Sequence, residues 1–105
     1  STIIILMQDN PKIIAEISSH TDSKGALLYN ERLSQRRAQS VVDYLIKNGI
    51  AKERLQAKGY GETQSIAPNE NPDGSDNPEG RQKNRRTEFR VIGLLPEYSE
   101  IIYEE

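Results

Sequence analysis

One short stretch holds two groups whose charges could act together. In ISSHTDSKGALLYNERLSQRRAQSVV, residues 17–42, Asp22 follows an apolar, β-rich run, and fifteen residues later comes Arg37, paired in sequence with Arg36. At about 100° per residue, a helix whose apolar stripe is Ala38, Val41 and Leu45 turns Arg36 into water and sets Arg37 on the stripe's flank, one turn from Leu33 and one from Val41. A guanidinium at the rim of a buried face needs a partner. One solution is an ion pair with Asp22 or another carboxylate that fastens the helix to the strand end. The other keeps Asp22 and Arg37 apart, sharing a ligand with an ammonium for Asp22 and a carboxylate for the bidentate fork of Arg37. A free α-amino acid end has that pair of charges, and loop amides near a helix N-terminus would add donors for its carboxylate.

The elements that must hold these groups are legible to different degrees. Ser1 to Asp9 fits either a strand or the last turns of a helix, stopped by Asn10-Pro11. Lys12 to Ser19 reads as a strand covered on at least one face. His20 to Gly25 is a loop. Tyr29 to Asn48 is the strongest helix, capped by Asn30 or begun earlier at Ser23, with Gly49 as its stop. Arg54 to Tyr60 and Arg86 to Ile92 are further strands, the latter with Thr87, Phe89 and Val91 on one face. Ile66 to Asn84, dense in Pro, Gly, Asn and Asp, reads as one long irregular loop, functional or mobile. The acidic tail from residue 94 would dock through Leu94, Leu95, Ile101 and Ile102 or fray. A long helix between strands implies a βαβ-type α+β sandwich.

Bulk properties narrow the function. The chain has 105 residues, 34% hydrophobic and 29% charged, enough for a single modest core. Its net charge of −2 opposes general affinity for nucleic acid or an anionic membrane. Arg32, Arg36, Arg37, Arg85 and Arg86 lack the interleaved aromatics of a nucleic-acid surface. The chain has no cysteine, hence no disulfide or thiolate chemistry, and no apolar run approaches the ~18 residues of a span. The opening STIIIL lacks the features of a signal peptide and suggests a piece of a larger, exported protein. His20, near Ser18, Ser19 and Asp22, invites a hydrolase reading, but side chains along a strand alternate between faces, which makes a poor triad. Asn69, Asn71, Asp73 and Gly74 occupy EF-hand-like places, yet Gly80 stands where the bidentate Glu belongs and Pro72 and Pro78 interrupt the loop.

Four ordered blocks then carry a resemblance: His20-Thr21-Asp22 with Gly25; Asn30, Leu33, Ser34, Arg37, Ala38, Val41 and Leu45; Gly49-Ile50, Arg54-Leu55 and Gly59-Tyr60-Gly61-Glu62; and Gly80-Arg81 with Asn84-Arg85-Arg86. Together they resemble the OmpA-like C-terminal domain, the peptidoglycan-binding module also found in Pal-type lipoproteins and flagellar stators, over roughly residues 10–93. The resemblance implies a βαβαβ-type two-layer sandwich with a mixed sheet packed against helices, over residues 1–93, followed by the tail at 94–105. It implies a non-catalytic domain without metal or cofactor that binds the diaminopimelate of the stem peptide through Asp22, Arg37, Asn30 and Arg85, with His20, Thr21 and Gly25 shaping the loop. Such a domain anchors an outer-membrane or envelope protein to the Gram-negative cell wall from the periplasm, without inserting into the membrane itself. A protein–protein interaction module of an envelope complex is the alternative. The family's first strand has no counterpart here, so an exposed sheet edge is expected.

Overall fold

The computed structural model describes residues 2–96. In chain order the elements are α1 (Thr2–Asp9), β1 (Ile13–His20), α2 (Leu27–Lys47), a 3-10 turn (Lys52–Arg54), β2 (Leu55–Gly61), α3 (Pro78–Asn84) and β3 (Arg86–Leu94). The opening apolar run, ambiguous in sequence, is a helix. Met7 is wholly buried with Ile3 and Ile4 beside it, whereas Ile5 and Leu6 face outward, as helical spacing requires. The Asn10 amide, main chain and side chain, donates to the Leu6 carbonyl, and Pro11 ends the helix.

The sheet has the order β2-β1-β3, with β1 parallel to β2 and antiparallel to β3. It is a mixed α+β sheet, with its helical layer on one face. Ile13, Ala15 and Ile17 of β1, Leu55 and Ala57 of β2 and Phe89 of β3 meet Val42 and Leu45 of α2 and Met7 of α1. The alternate residues Glu16, Ser18 and His20 are also buried and belong to the opposite face. On its outer edge β3 has no neighbour among the described residues, and Val91, Ile92 and Leu94 are exposed there. This is the open edge that the sequence leads one to expect.

Two expectations need correction. α2 begins at Leu27 rather than Tyr29, with Ala26 at the N-cap and no side-chain cap bond. Asn30 therefore lies inside the first turn, and its amide is used elsewhere. The stretch from 66 to 84 is not one irregular loop, because its last third is α3. The Asn77 side chain accepts from Gly80 N at 2.9 Å, and Pro78 occupies the first turn, where its missing N–H costs nothing. The rest is ordered by Asn84, which is fully buried. Its side chain accepts from the Ile66 and Ala67 amides at 2.8 and 3.0 Å and donates to Ala67 O and Asn69 Oδ1, each at 2.9 Å.

α2 crosses β2 so closely that only glycine fits at residue 59. A Cβ there would lie 2.1 Å from the Gln35 nitrogen. The Gln35 side chain then locks the crossing, accepting from Gly59 N at 2.8 Å and donating to Ala57 O at 3.2 Å. This contact fixes the helix that carries Arg37. Ile101 and Ile102, expected above as docking residues, lie outside the described residues.

Candidate functional site

The C-terminal end of β1 runs directly into the loop that holds Asp22. Thr21 N donates to Gly61 O at 2.9 Å, tying the loop to β2, and Thr21 Oγ1 donates to Asp22 O at 2.8 Å. Gly25, at φ +92°, makes a turn that side-chain-bearing residues rarely adopt, and the chain then enters α2. Asn30, buried beneath this turn, donates to the Lys24 carbonyl at 2.8 Å and the Asp22 carbonyl at 3.4 Å. Thr21 and Gly25, expected to shape the loop, lie within it, and Asn30, expected to line the ligand site, bonds the loop from inside.

The Asp22 carboxylate is buried and surrounded by donors. Oδ1 accepts from Lys24 N at 2.9 Å, and Oδ2 accepts from Arg85 Nη1 at 2.5 Å and from Arg81 Nη1 at 3.5 Å. Burial pushes its pKa up, but the Lys24 amide and the two guanidinium groups outweigh it and hold the carboxyl below its ordinary value. Of the two arrangements open from the sequence, the ion pair between Asp22 and Arg37 is not formed. Asp22 is satisfied by arginines 59 and 63 residues further along the chain, carried on and just after α3.

Arg37 is exposed and makes no hydrogen bond or ion pair with any described residue. With Ser19, His20, Arg85, Arg86 and Thr87 it lines an open cleft of about 300 Å³. Arg86 is committed to structure through Glu88 Oε2 and the Asn84 and Gln64 carbonyls, at 2.6, 3.0 and 2.8 Å. Arg85 bridges the cleft to Asp22. The arrangement is thus a free guanidinium beside a second, carboxylate-anchored one, which suits a ligand carboxylate. Cavity size alone does not single it out. A groove of about 340 Å³ between α2 and β2 is lined by exposed Leu28, Glu31, Arg32, Gln35 and Lys58 together with Gly59, without a comparable set of converging cations over a buried carboxylate.

Arg81 was not singled out as a site residue in the sequence. Its guanidinium makes two 2.6 Å contacts with Asp76, from Nε and from Nη2, and so reaches Asp22 only at 3.5 Å. The signal was its i, i+4 spacing to Arg85, which is visible once α3 is read as helical.

His20 belongs mostly to the other face of the sheet. Its ring stacks on Tyr60 with centroids 5.2 Å apart, and its Nε2 lies 3.1 Å from Ser18 Oγ. Ser18 and His20 thus share a face, as strand alternation dictates for residues two apart, while Ser19 between them points the other way. No triad results: Nδ1, the nitrogen an orienting carboxylate would hold, is buried without a partner, the Glu88 carboxylate lies 3.6 Å from Nε2 on the same side as Ser18, and Ser18 is itself buried. Burial, then Arg86, lowers the His20 pKa, against the opposing pull of Glu88 and Glu16. The EF-hand-like loop is also accounted for. Asp73 Oδ1 accepts from the Ser75 amide and hydroxyl, and Asn71 Nδ2 donates to Ser75 Oγ. Among the described residues no cluster of three or more His, Asp or Glu could hold a metal ion.

The OmpA family model matches residues 1–85. The chain belongs to the OmpA family. Among its relatives, a photosystem I P700 chlorophyll a apoprotein A2 of Gloeobacter violaceus is 58% identical over 76 residues, covering 72% of this chain and 9% of that protein. Outer membrane porin F of Pseudomonas fluorescens is 42% identical over 85 residues, covering 81% of this chain and 24% of the porin. The chain therefore spans less than a quarter of either relative's length. The C-terminal domain of Helicobacter pylori MotB superposes with a TM-score of 0.68 at 27% identity, covering 88% of this chain and 70% of that one. The cell wall anchor of the T6SS from Pseudomonas aeruginosa gives 0.65 at 29%, covering 88% and 65%. These OmpA-type neighbours share the α+β fold.

Proposed function

We propose that this OmpA-family domain binds peptidoglycan without covalent chemistry, by gripping the amino-acid end of diaminopimelate in the stem peptide, and so anchors an envelope protein to the cell wall in the periplasm. The carrying observation is Arg37: a guanidinium without a partner among the described residues, in an open cleft beside the Asp22–Arg85 pair. The ligand carboxylate takes the Arg37 fork, supported by Arg85. The ligand ammonium takes Asp22 Oδ2 in place of Arg81. Arg81 gives way at small cost, because its contact with Asp22 is at the 3.5 Å limit while Asp76 keeps its charge paired. Attachment of the parent protein to the outer membrane is part of this reading and draws on the porin relative.

Pull-down on purified sacculi tests the reading. Arg37→Ala should weaken binding about tenfold or more, as expected for losing a charge-assisted bidentate contact. Its circular dichroism should be unchanged, because the side chain is exposed and bonded to no described residue. Asp22→Asn should weaken binding too, with some loss of stability from unpaired Arg85. A diaminopimelate-containing muropeptide should bind more tightly than a lysine-containing one, which lacks the second carboxylate. Equal binding of both muropeptides, or an Arg37→Ala protein that binds sacculi as wild type does, would refute the proposal. The alternative role as a docking module rests on the open β3 edge, and predicts a protein partner whose binding survives Arg37→Ala.

A further inference from the structure

Asp22 is bonded to arginines that line two different clefts, and the cleft holding Arg37 is only one of them. Ser23, Lys24, Asn69, Glu70, Gly74, Asp76 and Arg81 line the second cleft, of about 280 Å³. The buried Asp22 carboxylate links the two through Arg85, which lines the first cleft, and Arg81, which lines the second. The walls of the second cleft are fixed in advance. Ser23 N donates to Asn69 Oδ1 at 3.3 Å, Asn77 N to Asn69 O at 3.2 Å and Asn71 N to Ser75 O at 2.8 Å, while Glu70 and Asp76 form a β-bridge. Arg81 and Asp76 neutralise each other across its mouth.

Two charged groups on this cleft are left uncommitted. Neither the Lys24 ammonium nor the Glu70 carboxylate makes a hydrogen bond or ion pair with any described residue. Lys24 lies close enough to Asp76 to help lower the pKa of that carboxyl, after the larger effect of Arg81. A rigid polar cleft with one free charge of each sign, next to a site for an amino-acid end, has the makings of a peptide subsite.

We infer that this second cleft receives the peptide leading away from the amino acid held at Arg37, with Lys24 meeting a free carboxylate on the neighbouring residue and Glu70 accepting from peptide N–H groups. The inference rests on the proposed function. Under it the domain recognises a stretch of stem peptide laid across Asp22 rather than a lone amino acid. The neighbouring carboxylate in such a stem is the free α-carboxylate of its γ-linked D-glutamate.

Calorimetric titration tests this with three probes: free diaminopimelate, the tripeptide L-Ala-γ-D-Glu-diaminopimelate, and the same tripeptide with the glutamate α-carboxylate amidated. Lys24→Gln should weaken the acidic tripeptide about threefold to fivefold relative to free diaminopimelate, the range of an exposed ion pair, and less at high salt. Amidation should weaken wild-type binding by the same factor and have no further effect on Lys24→Gln, the signature of a direct contact in a double-mutant cycle. Glu70→Gln should weaken both tripeptides. The inference is overturned if Lys24→Gln shifts all three probes equally, or if amidation costs the variant as much as the wild type. Arg37→Ala separates the two proposals: loss of all three probes upholds the site at Arg37 whatever Lys24 does, and their retention removes that site.

Discussion

The two ends of the central strand are built on different principles. Where β1 ends, Ser18, Ser19, His20, Thr21 and Asp22 are all buried, and the neighbouring segments add buried Asn30, Ser34 and Asn84. Among the described residues, the one fully buried side-chain polar atom without a partner is His20 Nδ1. Where β1 begins, the contacts are mostly apolar and partly open: Ile3, Ile4 and Ile13 are only half-buried, and Val91, Ile92 and Leu94 face outward. One polar group organises that end. Buried Arg54 donates to the Ile13, Met7 and Asn10 carbonyls at 3.0, 2.8 and 2.6 Å and joins α1 to the sheet. Directional bonds fix positions, whereas apolar contact mainly supplies cohesion and tolerates adjustment. The end that must hold two guanidinium groups at fixed places is the end built from directional bonds.

This contrast can be broken most forcefully at the seam that both ends share. Gly59→Ala would drive a methyl into the α2 backbone and should cost about 3 kcal/mol, the upper part of the overpacking range. Thermal melting should show it, with sacculus binding reduced as the helix bearing Arg37 shifts. Next comes Asn84→Ala, which strands the Ile66 and Ala67 amides and should cost about 2 kcal/mol. Urea denaturation measures the cost, and the loss of α3 alignment should appear as weaker binding.

A smaller effect tests the polar end through pH. His20 is the single histidine, and its folded-state pKa lies below the ordinary 6.5. The unfolded chain therefore takes up its proton first, so the stability contribution of the neutral ring is complete above pH 6.5 and is lost as pH falls through the folded value. Urea midpoints of the wild type should fall on acidification below 6.5, and His20→Gln should flatten that dependence; an unchanged slope would count against it. Least of all, Val91→Thr on the open edge should change stability by under about 0.5 kcal/mol, by the same denaturation. A large loss there would mean that the apolar end is packed more tightly than its exposure implies.

Much of this was legible in sequence wherever the causes were local. The 3.6-residue spacing of Ala38, Val41 and Leu45 placed α2, and it set Arg37 on the rim of that face and Arg36 in water. What failed depended on distant partners. The sequence left open whether Asp22 pairs with Arg37 and did not single out Arg81, and it is Arg81 and Arg85, far along the chain, that take the carboxylate. α3 was hidden because seven residues containing a glycine give weak propensity and little periodicity, although Asn77-Pro78 marked its start. Asn30 looked like a cap or a ligand contact, and only the folded loop shows that it serves the Lys24 carbonyl instead.

The place of β1 between its two neighbours has a consequence for how the domain comes into being. β1, α2 and β2 are consecutive and can pair without the rest of the chain, but Asp22 gains Arg81 and Arg85 only when α3 and β3 arrive to close the opposite side of β1. Until then its carboxylate has the Lys24 amide but neither guanidinium, and the cleft at Arg37 lacks a wall. The cleft at Arg37 is thus complete only once the last helix and strand have docked, so the candidate site reports on the folding of the whole sheet.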